Sequence, residues 1–389
     1  MAQSKKRERY IALYKRHLDV NPKNPVMLYE FEELLRFFDD CTAMFKSEKM
    51  LVELPFPAFV VADIRGNYEN LQRIFGTCRS EKNHDKWPIV FLGNMVDNGI
   101  ASLQCLVSVL VKKLMYPDRY YVVRGIHESA VVNVKRDQNG KSFWSELKSR
   151  YPLNEARELL DTIERTFRWI PLAALVGKKT LCVSGGIGPA LTSFDDIRNI
   201  PRPVKRTKAP AIVSQLLWSD PNPNKDIKGH LYNDKRRTSV YYGEHELQRV
   251  RKKLNIKNIV RGHECVHRGY CYPFGHEQLV SLFSVPGFCK DKATEKWNEG
   301  AILAINEKGM FRFIRCFEPV GGLPNQSVDQ VTDADSDADA YAETRTGPTG
   351  LSPLKQSTDS TPITESPTTC VDEKMVDERR GTTTELIKY

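Results

Sequence analysis

The sequence contains no apolar run long enough to cross a membrane; its longest, within AFVVAD and PIVFLG, are the size of strands. Its first ten residues, MAQSKKRERY, are charged and lack the apolar stretch of a secretory signal. The nine cysteines show no CxxC spacing, and an odd count argues against a closed disulfide framework. There are no internal repeats, and no stripe of basic and aromatic residues marks a nucleic-acid surface. These absences lead to the expectation of a soluble, reduced protein of the cytoplasm or nucleus. Membrane is excluded as a partner and nucleic acid is disfavoured.

The 389 residues are 40% hydrophobic and 10% aromatic, enough for a large buried core. The formal charge of +9 is unevenly spread: residues 320–389 hold 13 acidic and 6 basic side chains, leaving +16 on residues 1–319. A basic body favours acidic or phosphorylated partners, although a solvated lysine-rich surface accounts for much of it. The composition of 320–389, rich in Ser, Thr, Asp and Pro, buries too little to offset chain entropy and predicts disorder. Three sites there, Ser352, Thr361 and Ser366, precede proline and suit proline-directed phosphorylation. The expected organisation is an extension over 1–24, a folded domain over 25–319 and a disordered tail over 320–389.

Within the domain, Leu28, Phe31, Leu34, Leu35 and Phe38 recur at helical spacing and predict one or two helices over 26–47. Strands are predicted at 58–63, 88–93 and 119–124, with helices at 68–75 and 101–114 between them, so this half has a sheet parallel at its centre. Strands at 180–184, 258–260, 278–283, 301–305 and 310–316 are mostly linked by turn-like segments. They predict a second, more antiparallel sheet.

Each strand stops at a polar cluster containing glycine: Asp63-Ile-Arg-Gly66, Gly93-Asn-Met-Val-Asp-Asn-Gly99, Arg124-Gly-Ile-His-Glu128, Ser184-Gly-Gly186 and Arg261-Gly-His-Glu264. Ligands of open α/β sheets sit beyond the carboxyl ends of the strands, so these loops should converge on one site. One such cluster alone is what any turn contains.

The five segments, in this order, resemble the signature loops GDxHG, GDxVDRG, GNHE, HGG and RAH of the phosphoprotein phosphatase family. The surroundings FLGNMVDNG, YYVVRGIHE, WIPLAALV, LLWSDP and SLFSVPGFC extend the resemblance over 25–319, with the type-1 serine/threonine phosphatases most similar. It implies an α/β fold, a metallophosphoesterase-type sandwich of two mixed sheets flanked by helices. It also implies two adjacent divalent cations of the manganese, iron or zinc type that activate the attacking water. Position by position, Asp63 and His263 keep family ligands, whereas Arg65 and Ser184 stand where the family has histidines. Ile126 replaces an asparagine ligand, and Asn94 replaces the bridging aspartate. The metal set Asp63, Asn94 and His263 is thus vestigial, and the metals are expected to be lost or weakly held, with Asp63 pairing with Arg65 and His263 hydrogen-bonding locally instead.

The resemblance assigns Asp97 and His127 to the general-acid pair. It places Lys235, beside Arg236 and Arg237, at one phosphate-gripping arginine, Asn98 at another and Phe288 at a tyrosine of the site mouth. A docking groove for regulatory peptides falls on Val280, Leu282, Phe311 and Phe313, with Asn258 and Gly309 replacing larger apolar groups. The expected function is that of a catalytically impaired pseudophosphatase that binds phosphoproteins or regulatory subunits. The alternatives are an active phosphatase with an altered metal site and a polyanion-binding module.

Overall fold

The computed structural model describes residues 2–21, 27–80, 86–135, 141–205, 209–290 and 295–315. The expectations for the tail, including Ser352, Thr361 and Ser366, lie outside the described residues.

Helix α1 (Ala2–Leu18) lies within the segment assigned to an extension, yet Leu13 and His17 are buried and the helix packs on α4 (Ser102–Met115). The His17 ring bridges the hydroxyls of Tyr29 and Tyr68 at 3.0 and 3.1 Å. In α2 (Phe31–Ser47), Leu34, Phe37, Phe38, Cys41 and Phe45 form one buried stripe; of the residues whose spacing predicted a helix, Leu34 and Phe38 lie in it, whereas Leu28 precedes the helix and is exposed. That stripe meets α7 (Leu153–Phe167).

Two sheets form the centre. The first, in spatial order β14 (Phe311–Arg315), β13 (Ala301–Ile305), β2 (Ala58–Val61), β3 (Ile89–Phe91) and β4 (Tyr120–Val122), is parallel across β2, β3 and β4 and antiparallel at β13 and β14. The second runs β1 (Leu51–Leu54), β5 (Ala173–Val176), β6 (Thr180–Val183), β10 (Asn258–Arg261), β12 (Leu279–Leu282) and β11 (Tyr270–Cys271). Two expectations are corrected here. Strands β6, β10 and β12 run parallel, so the second sheet is mixed, as the resemblance implied, and not mainly antiparallel; and β13 and β14 join the first sheet. The antiparallel expectation came from short links, but α10 (Glu244–Leu254) leads into β10 as a helix of a parallel layer does.

Alternation along the strands sorts side chains into layers. Ala58, Val60, Val90, Val260, Val280 and Leu303 fill the space between the sheets. Phe59 and Val61 face α2, α3 (Tyr68–Ser80), α4 and α7. Ile259 and Leu279 face the opposite layer with α8 (Phe194–Arg198), α9 (Ala211–Trp218) and α10. The expected docking groove is largely interior: Val280 and Leu282 are fully buried, and Phe313 stacks on Tyr270 at 3.7 Å. Short helices α5 (Ala130–Lys135) and α6 (Phe143–Arg150) follow β4, and a three-stranded sheet of β7 (Asp220–Pro221), β9 (Val240–Tyr242) and β8 (His230–Tyr232) flanks the second half. No helix among the described residues is long and apolar enough to cross a membrane.

Candidate functional site

The five strand-end loops meet. Backbone amides of Ile64 and Arg65 donate to the Asn94 carbonyl at 3.0 and 2.9 Å. The Gly262 amide donates to the Ser184 carbonyl at 3.0 Å. The His127 amide donates to Asn94 Oδ1 at 3.2 Å, and Asn94 Nδ2 donates to Ser184 Oγ at 3.4 Å. The His263 amide donates to Asp63 Oδ1 at 2.9 Å. Glu128 accepts from the amides of Asn94, Met95 and Gly125 at 2.7–2.8 Å, clamping the β3 and β4 loops together. Burial pushes its carboxyl up, and those three amides with Arg124 oppose the rise.

Such close loops demand unusual backbone. Arg65, Asn94, Asp97, Asn98 and His263 all have φ between 51° and 78°, a region costly for residues with a Cβ and concentrated at functional sites. At Gly125 there is no choice of residue, because a Cβ would lie 2.3 Å from Asn94 Oδ1.

The centre of the site is a chain of charges. Arg65 Nε donates to Asp63 Oδ2 at 2.7 Å, both side chains being buried. Arg65 Nη1 donates to Asn98 Oδ1 at 3.1 Å and also meets His127 Nε2. The Phe288 ring covers the guanidinium, with Cζ 5.5 Å from the ring centroid. On its other side, His127 Nδ1 pairs with Asp97 Oδ2 at 2.7 Å. Asp97 also accepts from the Phe143 amide at 2.6 Å and from Asn133 Nδ2 at 2.8 Å.

These contacts fix the proton on His127. Arginine only donates, so Nε2 must accept, and the proton sits on Nδ1 facing Asp97. Burial raises the Asp97 carboxyl, but the bonds from His127, Phe143 and Asn133 outweigh it and hold the group below its ordinary 3.8. A carboxylate depressed on folding contributes stability that is present above 3.8 and lost as pH falls through its folded value. Asp97→Asn should therefore cost about 2–3 kcal/mol at neutral pH, and the difference from wild type should shrink on acidification. Melting curves across the acid range check this; a difference independent of pH would contradict it.

A second ionic cluster adjoins the first. Asp220 accepts from Arg236 Nε and Arg261 Nη2, both at 2.8 Å, and Arg261 Nη1 donates to Glu264 at 2.6 Å. Burial works against the Asp220 charge, but Arg261 first and Arg236 after it hold the carboxyl well below the usual range. Arg236, assigned to phosphate on resemblance, is thus committed through Nε to Asp220, while Lys235 is exposed. His263 is fully buried with both ring nitrogens unpartnered, and burial lowers it far below 6.5. Its ring therefore stays neutral and makes none of the local hydrogen bonds one would expect of it. Ile126 brings no donor atom to the site: it is buried and belongs to the apolar cluster that includes Leu51, Leu172 and Leu181.

Sequence reasoning passed over Asp220, Arg261, Asn133 and Glu128 as bonding partners. Asp220 and Arg261 did carry a signal, as single charges ending the apolar runs LLWSD and NIVR. Asn133 carried none.

The residues present do not fit a pair of divalent cations. Among the described residues no group of three His, Cys, Asp or Glu side chains could hold a metal ion. Asp63 is already neutralised by Arg65, and a further positive charge about 4 Å from a guanidinium costs on the order of 4 kcal/mol per unit charge at a surface-like dielectric. Asn94 brings no negative charge to bridge two cations.

Strand-end loops converging on one edge of an α/β sandwich define a metallophosphoesterase fold with a degenerate site. The calcineurin-like phosphoesterase family model matches residues 56–267, more than half of the chain, and the chain belongs to that family. Its fold is related to that of the phosphoprotein phosphatases. A Saccharomyces cerevisiae protein serine/threonine phosphatase with similarity to human phosphatase PP5 superposes with a TM-score of 0.62 at 21% identity, over 76% of this chain and 92% of its own. A cold-active protein-tyrosine phosphatase from a Shewanella species gives a TM-score of 0.43 at 15% identity, over 70% of this chain and 81% of its own.

Proposed function

We propose that this protein is a pseudophosphatase, similar to the type-1 serine/threonine phosphatases, that acts by binding phosphoproteins or phosphatase regulatory subunits without hydrolysing them. The observation that carries the reading is Arg65, whose guanidinium bridges Asp63 and His127. It puts a tethered monovalent cation on Asp63, the residue that the resemblance makes a metal ligand. The same contact disables the surviving acid pair, since a general acid must present its proton to the leaving oxygen and His127 Nε2 is occupied as an acceptor. Binding is supported by the basic body and by exposed Lys235, which precedes Arg236 on Asp220.

The experiment is a phosphopeptide hydrolysis assay of purified protein in manganese, with bound metal measured on the same sample. The expected result is no turnover, negligible metal and a melting temperature unchanged by chelator. Two equivalents of manganese together with turnover would replace this reading by an active phosphatase with an altered metal site.

A further inference from the structure

The expectation of uniformly reduced cysteines is corrected at one pair. Cys265 and Cys289, 24 residues apart with Cα atoms 6.5 Å from each other, are joined through sulfur. Spacing gave no hint of this, because the bond depends on the loop after β10 lying beside the loop after β12. Both residues are partly exposed, so a solute can reach the bond. The other described thiols are poor competitors for exchange. Cys41, Cys78, Cys105 and Cys182 are buried, and burial pushes the Cys271 thiol up to about 12, far from the thiolate that exchange requires.

The position of the bond gives it a role. Cys265 lies two residues after His263, whose amide holds Asp63 Oδ1. Cys289 directly follows Phe288, whose ring covers Arg65 and packs on Phe283 at 5.2 Å. The disulfide thus ties together the two loops that touch the two members of the Asp63–Arg65 pair. The surrounding backbone is anchored without it. Asn298 Oδ1 accepts from the Phe288 and Cys289 amides at 2.7 and 3.0 Å. The Phe283 amide donates to the Gly269 carbonyl at 2.7 Å, and that of Glu299 to His267 at 2.8 Å. Breaking the bond therefore loosens a cover and leaves the fold standing.

We propose that Cys265–Cys289 is a reversible thiol–disulfide switch read by small cellular thiols of the glutathione type, and that its state sets how firmly Phe288 covers Arg65. In reduction, a small-molecule thiolate attacks one cysteine sulfur, giving a mixed disulfide and releasing the other cysteine as a thiolate that takes up a proton. A second thiolate then attacks the outer sulfur of the mixed disulfide. The products are two cysteine thiols and one oxidised dimer of the small thiol; the protein disulfide gains two electrons and the small thiols lose two.

The switch is independent of whether the site hydrolyses phosphoesters, so its test is separate. Protein purified without reductant is denatured in iodoacetamide and digested with trypsin, which cuts after Arg268. The expected product is a linked pair of peptides, 262–268 and 269–290, with fragmentation placing the bond at Cys289 and not at Cys271. Glutathione treatment should abolish the linkage. Deuterium exchange of amides in 263–268 and 285–290 should then quicken by about tenfold or more relative to the oxidised form, with β2 and β3 unchanged. Cys265→Ser should exchange like the glutathione-treated protein without any reductant. Free Cys265 and Cys289 in the untreated protein, a bond to Cys271, or equal exchange in the two redox forms would each overturn the proposal.

Discussion

Arg65→Met should destabilise the protein by about 3–5 kcal/mol, because it leaves Asp63 as a buried carboxylate without a counter-charge. Asp63 is 1% exposed and Arg65 is 7% exposed, so water cannot substitute for the lost partner. For a domain of this size the melting temperature should fall by roughly 6–15 °C. A double substitution separates charge from packing. Asp63→Asn keeps an oxygen for the His263 amide and removes the charge, so Arg65→Met with Asp63→Asn should recover a large part of the loss. Thermal melts of the four proteins give the coupling. If Arg65→Met melts within a degree or two of wild type, the guanidinium is not what neutralises this site, and the account of metal exclusion fails with it.

The second large effect runs the other way. Combining Arg65→His, Asn94→Asp, Ile126→Asn and Ser184→His should raise bound metal from negligible to about two equivalents, the number the phosphoesterase chemistry uses. It should also bring phosphopeptide hydrolysis above background. Arg65→His alone should restore neither, because Asn94 still lacks the bridging charge and Ser184 still lacks an imidazole. Hydrolysis in the combined variant should remain slow, since Asn98 stands where the family has an arginine. Ile126→Asn puts an amide into an apolar cluster, and loss of folding there would mask the result. The triple variant that keeps Ile126 guards against this and should still bind more metal than wild type. A folded triple or quadruple variant that stays free of metal would show that more than these positions was lost.

Much of the fold follows from local pattern. Helix α2, from Phe31 on, and the fully apolar strands β2, β3 and β13 appear where periodicity placed them, because a segment with one buried face or two has few ways to satisfy it. Sheet membership was harder. Strand β13 reads like any short apolar run, and only the register Leu303 to Val60 puts it in the first sheet. The site residues named by motif, Asp63, Asn94, Asp97, His127, Ser184 and His263, do come together, since chain order and strand-end position constrain them. The Asp63–Arg65 and Asp97–His127 pairs were legible too, but not the contact that joins them. That the guanidinium of Arg65 also reaches Asn98 and His127 and lies against Phe288 depends on its left-handed backbone and on three residues from three other segments of the chain.

The sequence by itself determined that this chain builds a phosphoesterase sandwich and that its strand-end loops lack most of the ligands of a two-metal site, keeping only Asp63 and His263. Those properties are carried by residue type and order, which folding does not change. The pairing of Arg65 with Asp63 was also expected from the sequence; tertiary structure alone decided that the same guanidinium meets His127, that Ile126 is buried in the core, and that Cys265 finds Cys289. Each of these depends on distances between segments far apart in the chain, and a buried ion pair or a sulfur bond forms only when packing brings its partners within a few ångströms.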